Sequence, residues 1–218
     1  MKKKVLKVDF VSDVVCPWCI IGYKRFEKAM QMFEETVTFD LHWHPFELNP
    51  TMPEGGENLR QHLAKKYGTT LEGSIAARRR LTDLGAKLGF TFNYYDEMRM
   101  YNTFKAHQLL HWAREYGKQT ELHMQLFSAY FSEQKAVDDT QSLLESVAQV
   151  GLKRHEAGED LARGRSAHAV KNIESAWIKR GVQAVPAIIF NQKHLISGAQ
   201  STDVFKSYIE ELTLATTY

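Results

Sequence analysis

The stretch VLKVDFVSDVVCPWC, residues 5–19, decides the fold. Residues 5–12 are β-branched and apolar with partial alternation, which predicts a strand entering a core. A helix follows at once. Pro17 suits the first helical turn, and Tyr23, Phe26, Ala29, Met30 and Phe33 then recur at three- and four-residue spacing. Cys16 therefore falls at the N-terminus of that helix, with Cys19 one turn further in. From Val37 to Trp43 the period returns to two, completing strand, helix, strand within the first 45 residues. The usual right-handed crossover makes these two strands parallel.

The middle of the chain reads differently. Pro45, Pro50, Pro53, Gly55 and Gly56 punctuate a loop. From about Asn58 to Arg180 the apolar spacing is helical with no convincing strand, and predicts five or six helices. Breaks are expected near Gly68, Gly89, Gly117, Lys135–Asp139, Gly151 and Gly158. Strand signals return in VPAIIF (185–190) and HLIS (194–197), separated by a polar turn at Asn191–Lys193, which together predict a hairpin. A last helix begins after Ser201 or Thr202, with Val204, Phe205, Tyr208, Ile209 and Leu212 on one face. Without the middle segment, the order is strand, helix, strand, helix, strand, strand, helix. The expected fold class is α/β, a thioredoxin-like fold with an inserted all-helical domain. Residues 1–54 and 166–218 form the discontinuous thioredoxin-like unit and 55–165 the insert.

The chain's 218 residues, with 44% hydrophobic and 25% charged, have the composition of a folded globular protein. A net charge of +2 is too small to supply the basic stripe of a nucleic-acid binder. Charges interrupt every apolar run well short of a membrane span. The lysines of Met1–Lys4 resemble a signal-peptide start, but Lys7, Asp9 and Asp13 cut the segment that follows. A cytoplasmic location is the expectation, with no membrane or nucleic-acid partner, as a monomer or homodimer.

Two cysteines cannot staple a domain, and they cannot close a tetrahedral zinc site alone. His42 and His44 are the nearest pair, and their spacing does not match the usual histidine motif, so no metal is expected. Thiolates, not thiols, attack disulfides, and helix-terminal CxxC cysteines ionise more readily than free cysteine. Cys16 is therefore the expected nucleophile, labelled by alkylating agents well below pH 8, and Cys19 the resolving thiol. Pro17 and Trp18 lie between them and shape access. Asp13 reads as a turn residue or as a proton acceptor for Cys19. Arg78–Arg80 reads as a solvated charge run.

Taken together, CPWC after a strand, VPAIIF near the end, NTFKAHQLLHWA (102–113) and SGAQ (197–200) resemble the DsbA family, most of all its FrnE-type cytoplasmic branch. PFELNP (45–50), LGAKLGFTF (84–92), AYF (129–131) and GVQAVP (181–186) extend the resemblance through most of the chain. The resemblance implies a dithiol-disulfide oxidoreductase acting on protein or small-molecule disulfides or dithiols. It implies no tightly bound cofactor, a redox-active Cys16–Cys19 disulfide, and glutathione as a candidate co-substrate. It also implies a cis Pro186 beside Cys16, with Val185 offering its backbone to substrate; an ordinary first-strand proline is the competing reading. Candidate substrate contacts are Asn102, His107 and Gln200, although Asn102 also suits a helix cap and His107 a core position. Two alternatives stay open. One is a glutathione-dependent isomerase or transferase of the 2-hydroxychromene-2-carboxylate isomerase or kappa type, whose members typically carry Ser at the Cys16 position. The other is a non-catalytic redox-sensing or holdase-like module.

Overall fold

Strand β1 (Lys4–Ser12) pairs in parallel with β2 (Val37–Pro45), and the crossover between them is helix α1 (Pro17–Gln31). The computed structural model describes residues 3–214; Met1, Lys2 and the last four residues, which belong to the predicted 1–54 and 166–218 segments, lie outside the described residues. β5 (Ala187–Phe190) runs antiparallel to β1, and β6 (His194–Ser197) antiparallel to β5, giving the four-stranded order β2-β1-β5-β6. The hairpin turn has positive φ at Asn191 and Gln192 (48° and 60°), which matches the twist of the flanking strands.

Both faces of this sheet are covered. α1 and α9 (Thr202–Leu214) pack on one face. There Phe26 meets Phe39, Phe190 and Phe205 edge to face at 5.4–6.0 Å, joining α1, β2, β5 and α9 in one cluster in which all but the half-buried Phe39 are fully buried. Burying such a ring contributes about 1.5–3 kcal/mol. Of the predicted α9 face, Phe205, Ile209 and Leu212 are buried, whereas Tyr208 stays exposed. α8 (Ala167–Lys179) covers the other face and brings Trp177 against Val11, Ala187 and Ile189.

Between β2 and α8 the described residues contain α2 (Leu59–Tyr67), α3 (Leu71–Lys87), α4 (Phe104–Ala113), α5 (Gln119–Phe131), α6 (Thr140–Gln149) and α7 (Arg154–Arg163). With α8 this makes seven helices over the stretch expected to hold five or six. Side-chain caps at Asn58, Thr70 and Asp139 begin three of them. Two short strands, β3 (Glu57–Asn58) and β4 (Arg99–Met100), also pair antiparallel where no strand was expected. The predicted break at Gly158 is a correction: it lies inside α7, where Leu144 packs over it, and the helix ends instead at Gly164 in the left-handed region, φ 59°. The core of this segment, including Leu109, Phe127 and Phe131 of the helices and Phe92 of the loop after α3, is continuous with Val14, Val15, Cys16, Cys19 and Ile20.

Candidate active site

Cys16 is the N-cap residue of α1, with extended backbone (φ −89°, ψ 110°) and no side chain capping the helix. The turn into the helix is wound by two backbone bonds: Cys16 N–H donates to Asp13 O at 3.0 Å and Cys19 N–H to Cys16 O at 3.1 Å. The open N–H groups of the first turn therefore surround the Cys16 end of the motif. Both sulfurs are free thiols. Cys16 is 4% exposed and Cys19 fully buried. Burial, and then the neighbouring Cys16 sulfur, push the Cys19 thiol well above the ordinary cysteine range, against smaller opposing effects of Ser12 and the Asp13 backbone.

The loop before β5 comes to the same place. Val185–Pro186 is a cis peptide, and Cys16 Sγ donates to Val185 O at 3.7 Å. Pro186 in turn rests on α1, because Gly22 has no side chain; a Cβ there would stand 3.1 Å from Pro186 Cγ. Gly22 was not singled out in the sequence, although a glycine between Ile21 and Tyr23 in a helix interior, where it costs about 1 kcal/mol relative to Ala, was its signal.

Cys16, Pro17, Trp18 and Val185 share the wall of a cleft of about 600 Å³. Trp18 is 37% exposed, with the Arg80 guanidinium 5.7 Å from its ring. The opposite wall comes from the helical segment, through Ser74, Arg78, Leu81, Tyr94, Tyr130 and Phe131. Arg78 thus departs from the solvated run expected of it; only Arg79 and Arg80 are exposed.

The other predicted residues lie elsewhere. Asn102 accepts from Phe104 N–H at 2.9 Å through Oδ1 and donates to Pro50 O at 3.3 Å, a capping arrangement at the start of α4. His107 is buried inside α4, its Nε2 3.3 Å from Asp13 Oδ1. Asp13, itself fully buried, accepts from Leu48 N–H at 2.8 Å through Oδ2. Burial pushes the His107 imidazole down, but the Asp13 carboxylate, followed by Glu47 and Glu174, outweighs it, and the net displacement is upward. Glu47 is pushed up to about 7, by burial first and by Glu174 and Asp13 in addition, with His107 opposing. Gln200 donates to Ser197 O at 2.7 Å and stays on the surface ahead of α9. None of Asn102, His107 and Gln200 is in the cleft wall. His44, weighed above as a metal ligand, bonds Asp9 Oδ1 at 2.8 Å.

A thioredoxin-like sheet with a cysteine pair opening its first helix defines the class. The DSBA-like thioredoxin domain model matches residues 7–210, and the chain belongs to that family. Membership supports an enzyme of the thiol-disulfide oxidoreductase type in general. The chain is 27% identical over 209 residues to the uncharacterized protein YwbO of Bacillus subtilis (strain 168), covering 94% of this chain and 96% of that one. It is similar to the crystal structure of the probable DsbA oxidoreductase SCO1869 from Streptomyces coelicolor, with TM-score 0.91, 28% identity, and 98% and 92% of the two chains covered. The fold alone is shared with the cytosolic disulfide reductase DsbM from Pseudomonas aeruginosa, at TM-score 0.66 and 15% identity over 96% and 100% of the chains; that protein is also solved with GSH. Among the described residues no helix is long and apolar enough to cross a membrane.

Proposed function

We propose that this chain is a dithiol-disulfide oxidoreductase of the cytoplasm in which Cys16 is the nucleophile and Cys19 the resolving thiol. The observation that carries the reading is the asymmetry of the pair: Cys16 opens a helix on the wall of a cleft, 3.7 Å from Val185 O, while Cys19 is sealed beneath it. The Cys16 thiolate attacks one sulfur of a substrate disulfide, forming a mixed disulfide and releasing the other half as a thiolate that takes up a proton. Cys19 then gives up its proton, attacks the Cys16 sulfur and releases the second half. Two electrons pass from the cysteine pair to the substrate, and the reverse sequence oxidises a dithiol. The high proton affinity of Cys19 suits this order, since a buried thiol that holds its proton does not compete for the first attack.

Pro17 and Trp18 set access to Cys16, and the backbone of Val185 pairs with an extended substrate segment beside it. Residues 55–165 act as a cap over the thioredoxin-like unit of residues 1–54 and 166–218 and limit what reaches the sulfur. Protein or small-molecule disulfides and dithiols are its partners, with glutathione a candidate co-substrate. The test is reduction of insulin disulfides by dithiothreitol. The wild-type chain accelerates it and Cys16→Ser does not; equal rates for the two would overturn the proposal.

A further inference from the structure

The cleft beside Cys16 contains one formally charged side chain, Arg78, that the protein pairs only in part. Arg78 donates from Nη1 to Tyr95 O at 3.3 Å, which leaves the Nε–Nη2 edge of the guanidinium. Both of those nitrogens are buried and have no hydrogen-bond partner. That edge is the one whose parallel N–H groups match a carboxylate two-to-two. Two more unpartnered buried groups line the same cleft: Ser74 Oγ, one turn before Arg78 on α3, and the Tyr94 hydroxyl, whose ring lies 5.7 Å from the Arg78 guanidinium.

Buried polar groups in folded proteins are nearly always paired with protein or water, so three such residues converging on one cleft offer their hydrogen bonds to whatever fills it. No Asp or Glu lines the cleft, and the other walls are largely apolar. Burial first, and then the nearby Arg60, disfavour the charge on Arg78, with Tyr94, Asp96 and Tyr130 opposing less strongly. Tyr94 and Cys16 line the same cleft, which brings the polar group and the reacting sulfur to one space.

We infer that Arg78, with Tyr94 and Ser74, anchors the carboxylate of a small acidic disulfide or thiol whose sulfur meets Cys16. The inference rests on the redox reading above and names the substrate class of that same site. The small size is inferred from the cleft, whose volume of about 600 Å³ is that of a small-molecule site. For 3,3′-dithiodipropionate the reaction balances as two Cys thiols plus one disulfide giving the Cys16–Cys19 disulfide and two molecules of 3-mercaptopropionate.

The test compares second-order rate constants for oxidation of the reduced protein by three disulfides of similar size: anionic dithiodipropionate, neutral bis(2-hydroxyethyl) disulfide and cationic cystamine. The wild-type chain is expected to react fastest with the anion and slowest with the cation. In Arg78→Gln the anionic-to-neutral ratio falls about tenfold, the scale of one charge-assisted hydrogen bond, and Arg78→Lys restores part of it. Tyr94→Phe lowers the same ratio less, and gives an independent reading should Arg78→Gln not fold. A ratio within twofold of wild type in both Arg78→Gln and Tyr94→Phe, or no charge ranking in the wild type, would overturn the inference. An equal fall in insulin reduction would move the carboxylate to a polypeptide and overturn the small-molecule assignment. Should Cys16→Ser be oxidised as fast as the wild type by the neutral disulfide, the redox reading itself fails, which is a separate result.

Discussion

Replacing Gly22 by Ala puts a methyl group 3.1 Å from Pro186 Cγ and 3.4 Å from both Cα and Cβ of Ala199. Two effects compete. A helix-interior Gly→Ala change gains about 1 kcal/mol in propensity. Overpacking a fitted contact costs about 1–3 kcal/mol. Neither neighbour is free to move aside. Pro186 O accepts from Gly198 N–H at 2.8 Å, β5 begins at the next residue, and Ala199 O accepts from Arg25 Nη1 at 2.7 Å. The net expectation is a stability change from about zero to 2 kcal/mol destabilising. Activity should respond more. A shift of a few tenths of an ångström carries Val185 away from Cys16, and misplacement on that scale is expected to lower turnover about tenfold. Urea unfolding measures the first quantity and insulin reduction the second. A variant about 1 kcal/mol more stable than wild type with unchanged turnover would show that the Pro186 loop yields freely, and would refute the argument that its contact with α1 positions the site.

Other outcomes follow from the buried charges behind the cysteines. Asp13→Asn removes the charge beside His107 while keeping an acceptor for Leu48 N–H, so destabilisation of about 2–3 kcal/mol is expected, below the cost of leaving a buried charge wholly unpaired. His107 has a folded-state pKa above its unfolded value, so its charge contributes stability that is complete below about pH 6.5 and fades as pH rises through the folded value; in Asp13→Asn its ring protons should titrate at lower pH by NMR. Glu47 has the same sign over a window of its own. With its carboxyl raised to about 7, the unfolded chain loses that proton first, and stability falls as pH rises between about 4.5 and 7. Glu47→Gln should therefore flatten this part of the curve and raise stability at pH 8 by about 1 kcal/mol, allowing for its partial exposure; thermal unfolding at pH 5 and pH 8 checks both, and an unchanged slope would contradict the assignment.

The parts of the fold that were legible are those whose signals are local. Alternation in residues 5–12 and 37–43, Pro17 at a first helical turn and the turn at Asn191–Lys193 each specify their own element, and the parallel β1–β2 pair follows from handedness. Reading glycine as punctuation misplaced one break, at Gly158. Gly158 continues α7 beside Leu144 and does not interrupt it, which composition does not display. Of the candidate site residues, Cys16, Pro17, Trp18 and Val185 line the cleft, whereas Asp13, Cys19, Pro186, Asn102, His107 and Gln200 do not. The Asp13–His107 pair joins residues 94 apart through packing of α4 on the α1 entry, and no local pattern announces it. Arg78 was obscured by its neighbours Arg79 and Arg80. The spacing of Ser74, Arg78 and Leu81 at four and three residues does place them on one helical face, and that face is the one turned to Cys16.

The division of labour between the sulfurs is tested most directly by trapping. Cys19→Ser, reduced and then exposed to a substrate disulfide, should accumulate a mixed disulfide that peptide mapping by mass spectrometry assigns to Cys16, while Cys16→Ser under the same conditions should accumulate none. Adducts forming on Cys19 of Cys16→Ser as quickly as on Cys16 of Cys19→Ser would contradict the account.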